Sequence, residues 1–247
     1  MGERKPLRRS SQRFQEIDFL RAVAIVFMVI FHTVYDLHEF AGAAVDYQAP
    51  FWFILGKTSA LLFILLSGLS SGLSSSPVRR GLNVLFYGMV VTLVTYLVMK
   101  EEYVRFGILH FLGTAMILSP LFRRLSSRLL WVIAALIACL GFWFNTLVVQ
   151  TSFFLPLGLM YWGFSTIDYY PLFPNLAVTI IGILIYRHFY SEGAGSGRSS
   201  QNVLVWSWPR INWRLPGWIQ WLSRNSLGIY LIHQPILLLL LYISNHL

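Results

Sequence analysis

The sequence predicts an all-α membrane protein: a seven-helix transmembrane bundle with its N-terminus in the cytoplasm and its C-terminus outside. Three observations predict it. The 247 residues are 56% hydrophobic and only 12% charged. Several runs approach the roughly 20 apolar residues that cross a hydrocarbon core. Those runs lack the alternation of barrel strands, so their backbone amides are satisfied within helices.

The spans are read at about 17–37, 51–73, 79–99, 104–122, 129–149, 171–187 and 225–243. Ser74-Ser75-Ser76-Pro77 separates the second from the third, Lys100-Glu101-Glu102 precedes the fourth, and Arg123-Arg124-Leu125-Ser126-Ser127-Arg128 precedes the fifth. Residues 150–164 are apolar but short, hold Pro156 and carry several aromatics. They read as an interfacial or re-entrant segment, since aromatic rings favour the membrane–water boundary. Residues 191–203 are Gly/Ser-rich and read as a cytoplasmic linker. Together with the tryptophans that follow, 191–223 makes a linker and an amphipathic segment on the inner membrane face. The whole chain is taken as one transmembrane domain, 1–247, opened by a basic cytoplasmic tail at 1–15.

Charge placement sets the orientation. With the N-terminus inside, fifteen of the nineteen Lys and Arg residues fall in cytoplasmic segments. Only Lys100 and Arg105 fall outside, while Arg21 and Lys57 lie within spans. This is the positive-inside pattern, and it explains the net charge of +9 better than nucleic-acid binding does. The basic start, the apolar run and Ala41-Gly42-Ala43 resemble a signal peptide, but Arg21, His32 and Asp36 interrupt or flank that run. It is read as an uncleaved first span in the cell's inner membrane. The single cysteine, Cys139, supports neither a disulfide framework nor a thiolate metal site.

Ionisable side chains are expensive within a membrane and often mark function. Asp18, Arg21, His32 and Asp36 lie on one helical face, within a sector of about 60°. Asp18 also suits a helix start, and Arg21 can snorkel to the inner surface. His32 sits deeper, one turn from Asp36; a carboxylate at that spacing orients an imidazole for general-base work, and a purely structural pair is the alternative. Arg21 and His32 are separated by about 16 Å along the helix. An elongated substrate anchored by phosphate at the Arg21 fork would reach His32. His110, His233, Lys57 and Asp168 are further polar-core or acceptor-binding candidates. His233 has helix–helix hydrogen bonding as its structural alternative, and Lys57 has snorkelling as its structural reading and pairing with Asp36 as its functional one. No metal is expected, because the histidines lack local ligand spacing. Ser67-Gly68 ends the second span and Arg79-Arg80 opens the third, which suits an anion or simply close helix packing and inner-face charge.

Taken in order, these segments resemble a known superfamily. Arg21, ten residues and His32 match the first-span motif of integral membrane acyltransferases; Phe63-Ile64-Leu65-Leu66-Ser67-Gly68 followed by Arg79-Arg80 matches the next. Residues 16–21, 106–113, 168–174 and 225–235 are similar to bacterial membrane proteins related to the catalytic domain of heparan-α-glucosaminide N-acetyltransferase. The resemblance implies acetyl-CoA or another acyl-CoA bound from the cytoplasm at Arg21, Ser67, Gly68, Arg79 and Arg80. It implies transfer to a hydroxyl or amine of a glycan or small polar acceptor outside, with His32 as the catalytic histidine; Asp36, from the spacing, joins it as the catalytic carboxylate. The animal enzymes use a luminal-loop histidine, which puts His38 beside His32 as a candidate. Two other classes share these features: a lipid or solute transporter using the same polar core, and a non-catalytic membrane partner docking through the Trp-rich segment.

Overall fold

In the computed structural model, residues 14–190 and 215–246 are described. The basic tail up to Arg13 and most of the expected linker, 191–214, lie outside the described residues. Among the described residues eight helices run in chain order: α1 (Gln15–Ala41), α2 (Pro50–Leu73), α3 (Pro77–Met99), α4 (Ile108–Phe122), α5 (Ser127–Phe144), α6 (Leu172–Phe189), α7 (Gly217–Arg224) and α8 (Ser226–His246). Two short strands, β1 (Val148–Val149) and β2 (Met160–Tyr161), flank a 3-10 turn at Ser152–Leu157. Six of the helices are long and apolar enough to cross a membrane, and α4 is a shorter apolar helix. The protein is an all-α membrane bundle.

The chain forms two compact units. The first joins the N-terminal residues up to Tyr47 to the C-terminal residues from Ile211 onward. Here α1 packs on both α7 and α8. The exposed face of α1 carries Phe19, Leu20, Val26 and Ile30, whereas Ile17, Ala22, Ile25, Met28 and the acids Asp18 and Asp36 are buried. Gly42, at φ 64°, ends the helix in the left-handed conformation that favours glycine. α7 is amphipathic: Ile219 is buried with Leu215 and Ala22, while Trp218 and Trp221 are exposed. The part of the expected amphipathic segment that is described therefore has one apolar face against α1 and its tryptophans outward.

The second unit, Gln48–Arg210, holds α2 to α6. Its core is built from Ile64, Phe111, Ala115, Leu130, Ile180 and Ile183 with their neighbours. Prolines at the first turns of α2 and α3 begin those helices, where a missing N–H is harmless. α2 and α6 cross closely because Gly68 and Gly182 face backbone: a Cβ at Gly68 would strike the Thr179 carbonyl, and one at Gly182 the Leu65 carbonyl. Arg187, in the last turn of α6, donates to the carbonyls of Phe122, Arg123 and Leu125, where α4 ends. These carbonyls have no intrahelical partner, and a cation there suits the helix dipole.

Three boundaries differ from the sequence reading. α4 begins at Ile108 rather than 104, because Val104 and Gly107 are held by side chains of Thr92, Thr95 and His110. At fifteen residues it is about 22 Å long, short of a hydrocarbon core of about 30 Å. α5 stops at Phe144, five residues early, as Asn145 and Thr146 turn the chain and Thr146 Oγ1 donates to the Trp143 carbonyl. α1 continues to Ala41, so His38 lies in its last turn rather than in a loop starting at 38. Residues 148–161 form a compact non-α excursion in which β1 pairs in parallel with β2, with Phe153 and Trp162 exposed.

The Gly68 crossing yields a stability prediction. Gly68→Ala should destabilise the protein by about 1–3 kcal/mol through overpacking, read as a lower midpoint in a thermal scan of the detergent-solubilised protein. An unchanged midpoint would contradict the close α2–α6 approach.

Candidate active site

In the first unit, the polar stripe of α1 is met by polar residues of α7 and α8. At the start of α1, Asp18 Oδ1 accepts from Ser223 Oγ at 2.7 Å and lies 3.8 Å from the Arg21 guanidinium. Ser223, on the buried face of α7, is thus a site residue that the sequence reading missed. Arg21 keeps part of its surface exposed, so it is oriented by Asp18 without being enclosed.

At the other end, His32 and His233 meet edge-to-face, their ring centroids 4.8 Å apart. His32 Nδ1 lies 2.9 Å from the Met28 carbonyl, and His233 Nδ1 lies 2.6 Å from the Tyr230 carbonyl. A carbonyl oxygen only accepts, so in both rings Nδ1 carries the hydrogen. In the neutral rings both Nε2 atoms are then lone-pair nitrogens, the form a general base requires. The spacing rule suggested that Asp36 orients His32, but the Met28 carbonyl does so instead. Asp36 is fully buried and its Oδ1 accepts from Gln234 Nε2 at 2.7 Å. Gln234 is the second residue missed; its polarity within an apolar span, next to His233, was the available signal.

In the second unit, His110 is bonded through both ring nitrogens. Its Nδ1 accepts from the Gly107 N–H at 3.3 Å, capping α4, and its Nε2 lies 3.2 Å from Thr92 Oγ1. Thr92 gives its own hydrogen to the Val104 carbonyl at 2.7 Å, so it accepts from His110. Both ring nitrogens are thereby used. Asp168 Oδ2 accepts from the Ile108 N–H at 2.9 Å at the start of α4. Lys57 lies over the rings of Phe53 and Tyr170, and its charge also acts on Asp168. Its acidic neighbour within this unit is Asp168. Gly68 is occupied in the helix crossing, Ser67 is buried beside it, and Arg79 and Arg80 are exposed at the start of α3. No group of three His, Cys, Asp or Glu side chains suited to a metal occurs among the described residues.

The family model described as heparan-alpha-glucosaminide N-acetyltransferase, catalytic, matches residues 13–235, nearly the whole chain. The chain belongs to that family. No curated protein and no solved structure matches it. Membership in the heparan-α-glucosaminide N-acetyltransferase catalytic family makes it a multi-pass membrane protein with a transmembrane acetyltransferase-like function. The matched stretch contains the α1 stripe, the His233-Gln234 pair and the Asp168 cap.

Asp168, in the loop before α6, gives a pH prediction. Burial raises its carboxyl from 3.8 to about 6, against the opposing effects of the Ile108 N–H and the Lys57 charge. A raised carboxyl pKa means the folded state holds the proton more tightly than the unfolded one. The contribution to stability is therefore fully present below the unfolded value and declines as pH rises from about 4 through about 6. Asp168→Asn keeps an acceptor for the Ile108 N–H and should remove this decline. Thermal midpoints measured across that range test it; equal slopes in both proteins would contradict it.

Proposed function

We propose that the protein moves an acyl group, acetyl by family precedent, from cytoplasmic acyl-CoA to a hydroxyl or amine of a glycan or other polar acceptor outside the inner membrane. The supporting observation is the tautomer of His32. Its Nδ1 hydrogen is committed to Met28, which leaves Nε2 free to take a proton beside His233. Arg21 stands on the same unbroken helix, about 16 Å away.

In this reading Arg21 binds a phosphate of CoA through its fork, while Asp18 and Ser223 hold it in place. Arg79 and Arg80 are a second, separately testable phosphate contact. At the far end His32 Nε2 removes the acceptor's proton as its nitrogen or oxygen attacks the thioester carbonyl. The new C–N or C–O bond forms, the C–S bond breaks, and the CoA thiolate recovers the proton from the imidazolium. Asp36, one turn along α1, supplies fixed negative charge that favours the transient imidazolium. Holding both reactants along one helix supplies much of the rate.

Membrane vesicles given radiolabelled acetyl-CoA test the division of roles. His32→Ala should retain acetyl-CoA affinity and lose about 10²–10⁴-fold in label transfer, the usual size of a general-base contribution. Arg21→Ala should instead weaken acetyl-CoA binding. Absence of acetyl-CoA binding by the unaltered protein, or equal loss of binding in both variants, would refute the proposal.

A further inference from the structure

Asp36 Oδ2, His233 Nε2 and Gln234 Oε1 are buried without a hydrogen-bond partner among the described residues. All three belong to the α1–α8 seam: the Gln234 amide is bonded to Asp36, and His233 packs on His32, one turn before Asp36 on α1. Asp36 and His233 are 0% and 8% exposed. Leaving a buried polar atom unmatched is costly, so three on one seam call for a reason. Elsewhere Thr33, Thr95, Thr114 and Ser119 return their hydroxyls to carbonyls of their own helices, and Ser67 Oγ and Thr179 Oγ1 are two further buried atoms without a partner among the described residues.

The three atoms share one chemical character. Asp36 as a carboxylate has no hydrogen to give. Gln234 has turned its N–H towards Asp36, which leaves its oxygen as an acceptor. His233 has committed its Nδ1 hydrogen to Tyr230, which leaves a lone pair at Nε2. The three unpartnered atoms are all acceptors. The seam therefore fits a ligand group rich in donors, and the metal alternative lacks a third suitably placed ligand among the described residues.

We propose that Asp36, Gln234 and His233 form a recognition subsite for a group presenting several N–H or O–H donors, and that Gln234 is its specificity-determining residue. Naming that group as part of the acyl acceptor rests on the acyl-transfer reading above; the binding itself does not. Gln234 acts in two ways. Its amide N–H holds Asp36 Oδ1 and leaves Oδ2 unbonded, and its own oxygen is a second unbonded acceptor. A primary ammonium supplies three N–H donors, and neighbouring hydroxyls of a polyol supply the same chemistry without charge.

Glucosamine and glucose differ only in an amine or a hydroxyl at one carbon, so they separate the two sources. The full-length protein in detergent is titrated with each by calorimetry, without acyl-CoA. The unaltered protein should bind at least one saturably. Gln234→Glu preserves side-chain size, but removes the donor to Asp36 and adds a like charge. It should weaken binding at least about tenfold, a loss of about 1.4 kcal/mol, with acetyl-CoA affinity and elution profile unchanged. Asp36→Asn should weaken glucosamine more than glucose if an ammonium is read, and both alike if hydroxyls are read. Binding of neither sugar by the unaltered protein, or undiminished binding by Gln234→Glu, would overturn the proposal. Gln234-dependent binding without any acetyl transfer would sink the acyl-transfer reading and leave the subsite standing. Acetyl transfer with Gln234-independent binding would do the reverse.

Discussion

A polar atom in hydrocarbon has to find its partner inside the protein, and this requirement organises the structure. It explains why threonine and serine hydroxyls return to their own helices and why Arg187 closes over the carbonyls that end α4. It explains the two ring hydrogen bonds of His110, which give α4 its start. Two hydroxyls, Ser67 Oγ and Thr179 Oγ1, depart from that pattern among the described residues, and so does the α1–α8 seam. There a buried carboxylate, an amide oxygen and an imidazole nitrogen have acceptor capacity that no described residue meets.

The same requirement says which part of the fold was legible in the sequence. Long apolar runs leave the backbone no option but helix, so α1, α2, α3, α6 and α8 were readable within a few residues. α4 and α5 were read too long, because hydropathy does not register where side chains take over backbone hydrogen bonds. Val104 is apolar, yet its carbonyl and amide go to Thr92 and Thr95, and the helix cannot begin there. The excursion between α5 and α6 is equally apolar. Its irregular path depends on pairings such as Val148 with Met160 that no periodicity announces.

The candidate site was legible on one helix and illegible across helices. A helical wheel places Asp18, Arg21, His32 and Asp36 on one face, and burial of the two acids agrees with it. It cannot say which partner each finds. Local spacing favoured Asp36 for His32, whereas the Met28 carbonyl takes that place and Gln234, 198 residues away, takes Asp36. Ser223 on Asp18 is the same kind of long-range partner. Histidines of equal appearance in the sequence part company for this reason. His110 has both nitrogens used, while His32 and His233 each keep a lone pair.

Family membership gives this geometry its chemical setting, and α1 gives it a direction: an arginine held by Asp18 at one end, a base-ready histidine at the other. The most direct measurement is an experimental structure with a non-hydrolysable acetyl-CoA analogue. The account predicts density along α1, with a phosphate on the Arg21 guanidinium and the acyl carbon within reach of His32 Nε2. Analogue bound away from α1, or with its acyl group remote from His32, would contradict it.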